Sequence, residues 1–148
     1  MSSPILEVKN VSKTFGNVKA LDSVDFSLQK GIIHGLLGEN GAGKSSLMNV
    51  LSGIYLPESG TIEIKNQKIQ KLNPDIASSL GVGMVHQEFR LIESFTIKDN
   101  LTLSKANIFS ENFDEAYKKY SEIFSLNSNF LTPINELSVG EKQKVEIM

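Results

Sequence analysis

The chain contains no cysteine and only one arginine, Arg90, among its 148 residues. Without cysteine, neither a disulfide framework nor a thiolate metal site is available, and a reducing cytoplasm is compatible with the sequence. A formal net charge of −2 with one arginine argues against a broad basic surface, so nucleic acid is not an expected partner. No run approaches the roughly 20 apolar residues of a membrane-spanning helix, and a signal-peptide core is missing, so any membrane association should be peripheral.

The length and the 40% hydrophobic content are those of one soluble domain with its own core. Three apolar segments alternate with polar residues and predict strands of an antiparallel sheet at Ile5–Val11, Val24–Leu28 and Thr61–Ile64. Asn73 and Pro74 form a helix-start signal for a helix that should end near Leu80. Further along, the patterns predict a strand at Val82–His86, a helix at Asp114–Phe124 and a long loop at Leu126–Asn135.

A glycine-rich run, Gly38–Ser45, fits the P-loop pattern G-x-x-x-x-G-K-[ST] at every fixed position. We expect its glycines at 38, 41 and 43 to adopt positive φ values and to bring backbone N–H groups close to phosphate oxygens. Lys44 could then reach the β and γ phosphates, and the Ser45 hydroxyl could ligate a bridging Mg²⁺. The candidate nucleotide-binding residues of the loop are Gly38, Asn40, Gly41, Ala42, Gly43, Lys44, Ser45 and Ser46.

The flanks of the run match the setting that a P-loop needs, because Ile32–Leu37 predicts a buried strand before it and a helix should follow Ser45 and end near Gly53. The alternative is a glycine-rich turn that binds nothing. The P-loop alone does not choose among ATPases, GTPases and small-molecule kinases. A GTPase would need an Asn-Lys-x-Asp clamp and an Asp-x-x-Gly switch, and neither occurs in the sequence.

Three further segments resemble ATP-binding cassette (ABC) proteins. Leu137–Gln143 resembles the LSGGQ signature, with Val139 in place of the first glycine of its pair. Gln87 is similar to the Q-loop glutamine, and Phe15 with Gly16 looks like the A-loop, whose aromatic stacks on adenine. The residues around Gln87 and in the signature segment most resemble those of the ATPases of importers for simple sugars and nucleosides.

The resemblance implies an α/β P-loop NTPase core with a flanking antiparallel β subdomain over residues 1–94 and a partial helical subdomain over 95–148. It also implies ATP and Mg²⁺ as cofactors, and a head-to-tail dimer in which Ser138 and Gly140 face the γ-phosphate of a second ATP-binding domain. Gln87 would orient the attacking water or contact the Mg²⁺ shell, which makes Lys44 and Gln87 the catalytic candidates. The expected partners are transmembrane permease subunits at the cytoplasmic face of the membrane.

The sequence ends at Met148 inside the predicted signature helix, before any Walker B strand, catalytic glutamate or switch histidine. The resemblance therefore predicts a fragment that binds Mg-ATP but hydrolyses it very slowly, because the general base and a metal contact are missing. An exposed sheet edge, marginal stability and association are also expected. Two other functions stay open at this point: a soluble cassette ATPase of translation or DNA repair, and an ATP-sensing interaction module without hydrolysis.

Several of these residues also have structural interpretations. Ser138 and Glu141 have the spacing of a capping box, which is compatible with phosphate contact. Phe15 could be an ordinary buried aromatic residue. We expect His34 to be a hydrogen-bonded core residue and His86 to have a structural role, whereas Glu39 and Glu88 could be merely solvated.

Overall fold

The computed structural model describes residues 3–103 and 112–148. The chain forms two compact units, Met1–Met84 and Val85–Met148. Each unit has its own cluster of buried apolar side chains. The P-loop belongs to the first unit, and Gln87 and the signature segment belong to the second.

The first unit is built on an antiparallel sheet in the order β2-β1-β3-β4. Its strands are β1 (Leu6–Phe15), β2 (Val18–Leu28), β3 (Ser59–Ile64) and β4 (Gln67–Ile69). The predicted antiparallel layer is confirmed, but β1 and β2 are longer than expected and β4 was not anticipated. Polar residues in the extra length, such as Ser12 and Thr14, are only half-buried, so they hide the alternation that marks a strand.

A two-residue turn of Gly16 and Asn17 joins β1 to β2, with Phe15 opposite Val18. Gly16 has φ of 57°, which suits the first central position of a tight hairpin turn. The core of the first unit comes mainly from residues of β1, β2 and β3 and from the helix that follows the P-loop. Its buried members include Val8, Val11, Leu21, Leu47, Val50, Ile62 and Ile64.

Two helices complete the first unit. Helix α1 (Lys44–Leu51) follows the P-loop as predicted, and Gly53 lies just beyond its end with φ of 77°. Helix α2 (Pro74–Ser79) begins at Asn73, whose side chain accepts a hydrogen bond from the Ile76 amide at 2.8 Å. Both helix starts therefore agree with the sequence signals.

The two buried strands predicted at Ile32–Leu37 and Val82–His86 are wrong, because both segments are irregular. The side chains of Ile33 and Leu37 are fully or almost fully exposed, at 103% and 93%. A strand exists only where its backbone pairs with a neighbour. Within residues 3–103 and 112–148, neither segment takes part in a strand ladder, so the apolar run alone does not produce a strand.

The second unit is helical. It contains α3 (Ile97–Leu103), α4 (Phe113–Phe124), a short 3₁₀ turn (Ile134–Glu136) and α5 (Val139–Ile147). The helix predicted at Asp114–Phe124 is confirmed, and the stretch from Leu126 to Pro133 is irregular, as expected for most of the predicted loop. The buried core comprises Ile97, Leu101, Tyr117, Leu126, Ile134, Leu137 and Val145. None of the helices in the described ranges has the length and apolar content needed to cross a bilayer.

Candidate functional site

The P-loop forms a mostly exposed turn that lies outside the strand ladders of the described residues. Among the described residues, the amides of Gly43, Lys44 and Ser45 have no hydrogen-bond acceptor, whereas Ala42 donates to the Glu39 carbonyl at 3.2 Å. These amides stand at the N-terminus of α1, where Gly43 occupies the cap position without a capping side chain. Unsatisfied amides and a helix N-terminus together favour an anionic ligand.

Lys44 closes back over the same turn. Its Nζ donates to the carbonyl oxygens of Gly38 and Glu39, each at 2.7 Å. The side chain is therefore held above the loop instead of extending into solvent. This position keeps one positive charge on the same turn as the free amides, as a phosphate cradle requires.

The three glycines of the motif have different roles. Gly41 and Gly43 have φ of 87° and 85°, so the predicted left-handed backbone is confirmed at both positions. For Gly38 the prediction of a positive φ is wrong. Gly38 is instead favoured by space, because a Cβ there would lie 3.2 Å from the Ala42 Cβ. At Gly43 a Cβ would lie 2.4 Å from the Ala20 carbonyl oxygen of β2, so the loop lies too close to the sheet there for a side chain.

The remaining candidates of the loop stand around this cradle. Asn40, Ala42 and Ser45 are exposed, and Ser46 is half-buried in the first turn of α1. The Ser45 hydroxyl is therefore accessible to a metal ion.

Phe15, the predicted adenine platform, lies at the end of β1 in the first unit and is 41% exposed. Its ring meets Tyr55 edge-on at a centroid distance of 4.9 Å, and the Lys13 Nζ lies 5.4 Å from the ring centroid. The ring is thus supported on some sides and open to solvent on others. Adenine stacking by Phe15 stays a prediction.

Gln87 is exposed and lies in an irregular segment at the start of the second unit. This segment curves around an open cavity of about 540 Å³ lined by His86, Gln87, Glu88, Phe89 and Arg90. His34 lies in the first unit and is exposed, so the expected position in the core is wrong; its ring meets the Phe26 ring edge-on at a centroid distance of 5.4 Å.

The signature segment begins helix α5. Ser138 is the N-cap, and with Glu141 it forms the predicted capping box, which is confirmed. The Ser138 backbone N–H and hydroxyl donate to Glu141 Oε2 at 2.9 and 2.6 Å, and the Glu141 amide donates to Ser138 Oγ at 3.3 Å. In the part of the chain that is described, the amides of Val139 and Gly140 have no acceptor.

Gly140 has a conventional helical φ, and a Cβ built on it would meet no atom within 4 Å. Packing within the described chain therefore does not require glycine at this position. Val139, which replaces a signature glycine, has a largely exposed side chain, at 71%. The segment presents an exposed backbone surface with two free amides.

Two residues outside the motifs support this segment, and the sequence patterns did not predict a role for either of them. The Ser128 hydroxyl donates to Glu141 Oε1 at 2.5 Å, and the Tyr117 hydroxyl donates to the Ser128 carbonyl at 2.7 Å. Hydrogen bonds from Ser128 and Ser138 lower the pKa of Glu141 to about 2, and burial raises the pKa of Tyr117. Ser128 lies in an irregular loop, where no periodicity or spacing signals a contact across 13 residues.

The fold and these motifs define an ATP-binding cassette. The profile of the ABC transporter family matches residues 21–148, and the chain belongs to this family. The chain is 44% identical over 152 aligned positions to the galactose/methyl galactoside import ATP-binding protein MglA of Clostridium perfringens (strain SM101), covering 99% of this chain and 29% of that protein. It is 38% identical to the guanosine import ATP-binding protein NupO of Bacillus subtilis, covering 97% of the chain and 29% of the relative.

Among solved structures, the dimeric ATP-binding cassette MJ0796 bound to ADP and inorganic phosphate superposes with a TM-score of 0.74 at 26% identity, covering 96% of this chain and 67% of that one. These likenesses confirm the predicted α/β P-loop fold and the resemblance to sugar and nucleoside import proteins. The chain spans less than a third of the length of the curated relatives that it matches.

Proposed function

We propose that this chain is the ATP-binding part of an ABC ATPase that energises import of a small solute such as a sugar or a nucleoside. The observation that carries the proposal is the P-loop cradle, in which free amides and the Lys44 ammonium converge on one exposed turn. The import role is inferred from MglA and NupO, because both are import ATP-binding proteins.

Nucleotide binding follows from the charges of the cradle. A triphosphate entering the turn accepts hydrogen bonds from the amides of Gly43, Lys44 and Ser45 and gains from the α1 dipole. Lys44 exchanges its bonds to the Gly38 and Glu39 carbonyls for phosphate oxygens. The accessible Ser45 hydroxyl is the group of this loop that would hold a Mg²⁺ ion, which would supply positive charge to offset that of the phosphates.

The signature segment supplies the other half of a composite site. We propose that Ser138 and the free amides of Val139 and Gly140 contact the γ-phosphate held by a second ATP-binding domain in a head-to-tail dimer. Among the described residues, nothing would contact a Cβ at position 140, which supports this role, since a close ligand needs an uncovered backbone. The dimeric MJ0796 cassette is a precedent for association.

In the parent protein, ATP hydrolysis would drive transmembrane permease subunits from the cytoplasmic face of the membrane. Gln87 would orient the attacking water or contact the Mg²⁺ shell and report nucleotide to the permease. The transported solute would not contact this chain. Two other functions are compatible with a P-loop and a signature: a soluble cassette ATPase, and an ATP-sensing interaction module without hydrolysis.

Two assays test this function. Purification of the full-length parent should recover a polytopic membrane protein with it, and a parent that turns over ATP without such a partner would favour a soluble cassette ATPase. Phosphate release by the 148-residue polypeptide should be negligible beside that of the parent. A parent that binds ATP without releasing phosphate would favour the sensing module, and turnover by the short polypeptide that Lys44→Ala abolishes would contradict the predicted inactivity.

A further inference from the structure

Glu141 occupies the position at which the LSGGQ pattern has its glutamine, so this chain places a carboxylate beside the signature serine. The Ser138 hydroxyl has one proton, and it donates that proton to Glu141 Oε2 at 2.6 Å. A serine in this state offers a phosphate only lone pairs. It must turn away from Glu141 before it can donate to a phosphate oxygen.

We propose that Glu141 is a positioning residue that restrains the Ser138 hydroxyl and opposes its engagement of a phosphate, and that Ser128 anchors Glu141 in this position. The proposal deepens the function proposed above and rests on it. Glu141 would affect how tightly the signature segment binds the phosphate of a second ATP-binding domain. Nucleotide binding by the P-loop does not depend on Glu141.

The anchoring has two independent points along the loop before the signature. The Ser128 hydroxyl binds Glu141 Oε1, and the Ser128 carbonyl accepts from the Tyr117 hydroxyl, which is on helix α4 and largely buried. The Lys144 Nζ donates to the Ser125 carbonyl at 2.8 Å, which ties the start of the loop to α5 as well. The carboxylate therefore accepts hydrogen bonds at both oxygens, from Ser128 at Oε1 and from Ser138 at Oε2.

Charge adds to this restraint. The hydrogen bonds from Ser128 and Ser138 keep the pKa of Glu141 at about 2, so the group is ionised at neutral pH. A phosphate oxygen bound by Ser138 would lie roughly 5 Å from the carboxylate, where like charges repel even in water. Glutamine at this position keeps the capping box but removes the charge, because either side chain serves at the third helical position.

The expected result is that Glu141→Gln strengthens ATP-dependent association of the chain by about threefold to tenfold, the range that removal of one nearby like charge gives. The measurement is sedimentation velocity of the 148-residue chain at saturating Mg-ATP, beside a calorimetric titration of Mg-ATP on the same samples. The matched control is Glu136→Gln, which changes net charge equally at an exposed carboxylate just before the signature. This control should associate like the unchanged chain.

A second readout tests the anchor directly. The carboxyl carbon of Glu141, followed by NMR, should titrate near 2, and Ser128→Ala should move its pKa up towards the ordinary value of 4.5. A Glu141 pKa that does not respond to Ser128→Ala would overturn the anchoring role. The Ser128 side chain is outside the capping box, so its removal leaves the helix start intact.

The outcomes separate this proposal from the one it rests on. Normal Mg-ATP binding combined with equal, weaker or absent association in Glu141→Gln would overturn the proposal and leave P-loop binding standing. An equal gain in Glu136→Gln would also overturn it, because the effect would then be one of net charge alone. Absence of Mg-ATP binding in every sample would contradict the proposed function, and this inference would fall with it.

Discussion

At the scale of single residues, Gly43 and Gly41 have nearly the same φ but different surroundings. An alanine Cβ at 43 would lie 2.4 Å from the Ala20 carbonyl oxygen, whereas at 41 it would meet nothing within 4 Å. Gly41→Ala should therefore cost only the left-handed backbone strain of about 1–2 kcal/mol. Gly43→Ala should cost at least about 3 kcal/mol, because the loop must also move away from β2.

Urea unfolding of the two variants, followed by a probe of the first unit, measures this difference. Equal free energies of unfolding for the two variants would contradict the close approach of the loop to β2.

The P-loop motif itself could be predicted from sequence, because each fixed residue has a local role. The steric need for glycine at position 43 could not be predicted, because the Ala20 carbonyl that would meet a Cβ there is distant in sequence and approaches only in the folded structure.

At the scale of elements, α5 begins with a charged cap whose strength depends on pH. Glu141 has a folded-state pKa of about 2 against an ordinary value of 4.5, with the Ser128 hydrogen bond as the largest cause. A lowered folded pKa means that the ionised form stabilises the fold above pH 4.5 and that this contribution disappears as the pH falls towards 2. The stability difference between the unchanged chain and Glu141→Gln should therefore shrink over that interval.

Urea unfolding at a series of pH values between 2 and 4.5 measures the change. A difference between the two chains that stays constant with pH would contradict the hydrogen-bonded, ionised state of Glu141. Removal of the cap itself by Ser138→Ala should cost about 1 kcal/mol at neutral pH.

Two helices with local start signals were predicted from the sequence, whereas helix α3, which also has such a signal, was not. Asn73 with Pro74 and Ser138 with Glu141 mark helix starts by residue type and spacing, and both helices form there. Helix α3 has a reciprocal pair of Thr96 and Asp99 at its start, with the Thr96 hydroxyl donating to Asp99 Oδ2 at 2.5 Å. Hydrogen bonds from Thr96 also lower the pKa of Asp99. The expected strand at 32–37 depends on pairing, which no local signal supplies.

At the scale of the whole molecule, the second unit depends on its own apolar core. Ile97 is fully buried at 0% exposure in that core, whereas Ile123 on α4 is 63% exposed. Ile97→Ala should destabilise the second unit by about 2–5 kcal/mol through lost burial and a cavity. Ile123→Ala should change stability by no more than about 0.5 kcal/mol. Thermal or urea unfolding of both variants checks this, and similar losses in both would contradict the assigned core.

The first unit exposes a run of apolar side chains that should promote association. Ile33 and Leu37 are 103% and 93% exposed, and their segment lies outside the strand ladders of the described residues. We expect light scattering to show concentration-dependent association that the double variant Ile33→Lys with Leu37→Lys reduces. Val18→Lys, at a 66% exposed position already paired in β2, is the control and should change nothing. A monodisperse monomer at all concentrations would contradict this expectation.

In the proposed function, the turn at residues 38–45 holds a nucleoside triphosphate. Isothermal titration of the folded chain with Mg-ATP tests this claim most directly, beside Lys44→Ala and the exposed-lysine control Lys65→Ala. The unchanged chain and Lys65→Ala should bind with the same affinity, and Lys44→Ala should bind roughly tenfold more weakly or worse, because a charge-assisted contact is lost. Folded protein that releases no heat, or equal binding by all three chains, would contradict the claim.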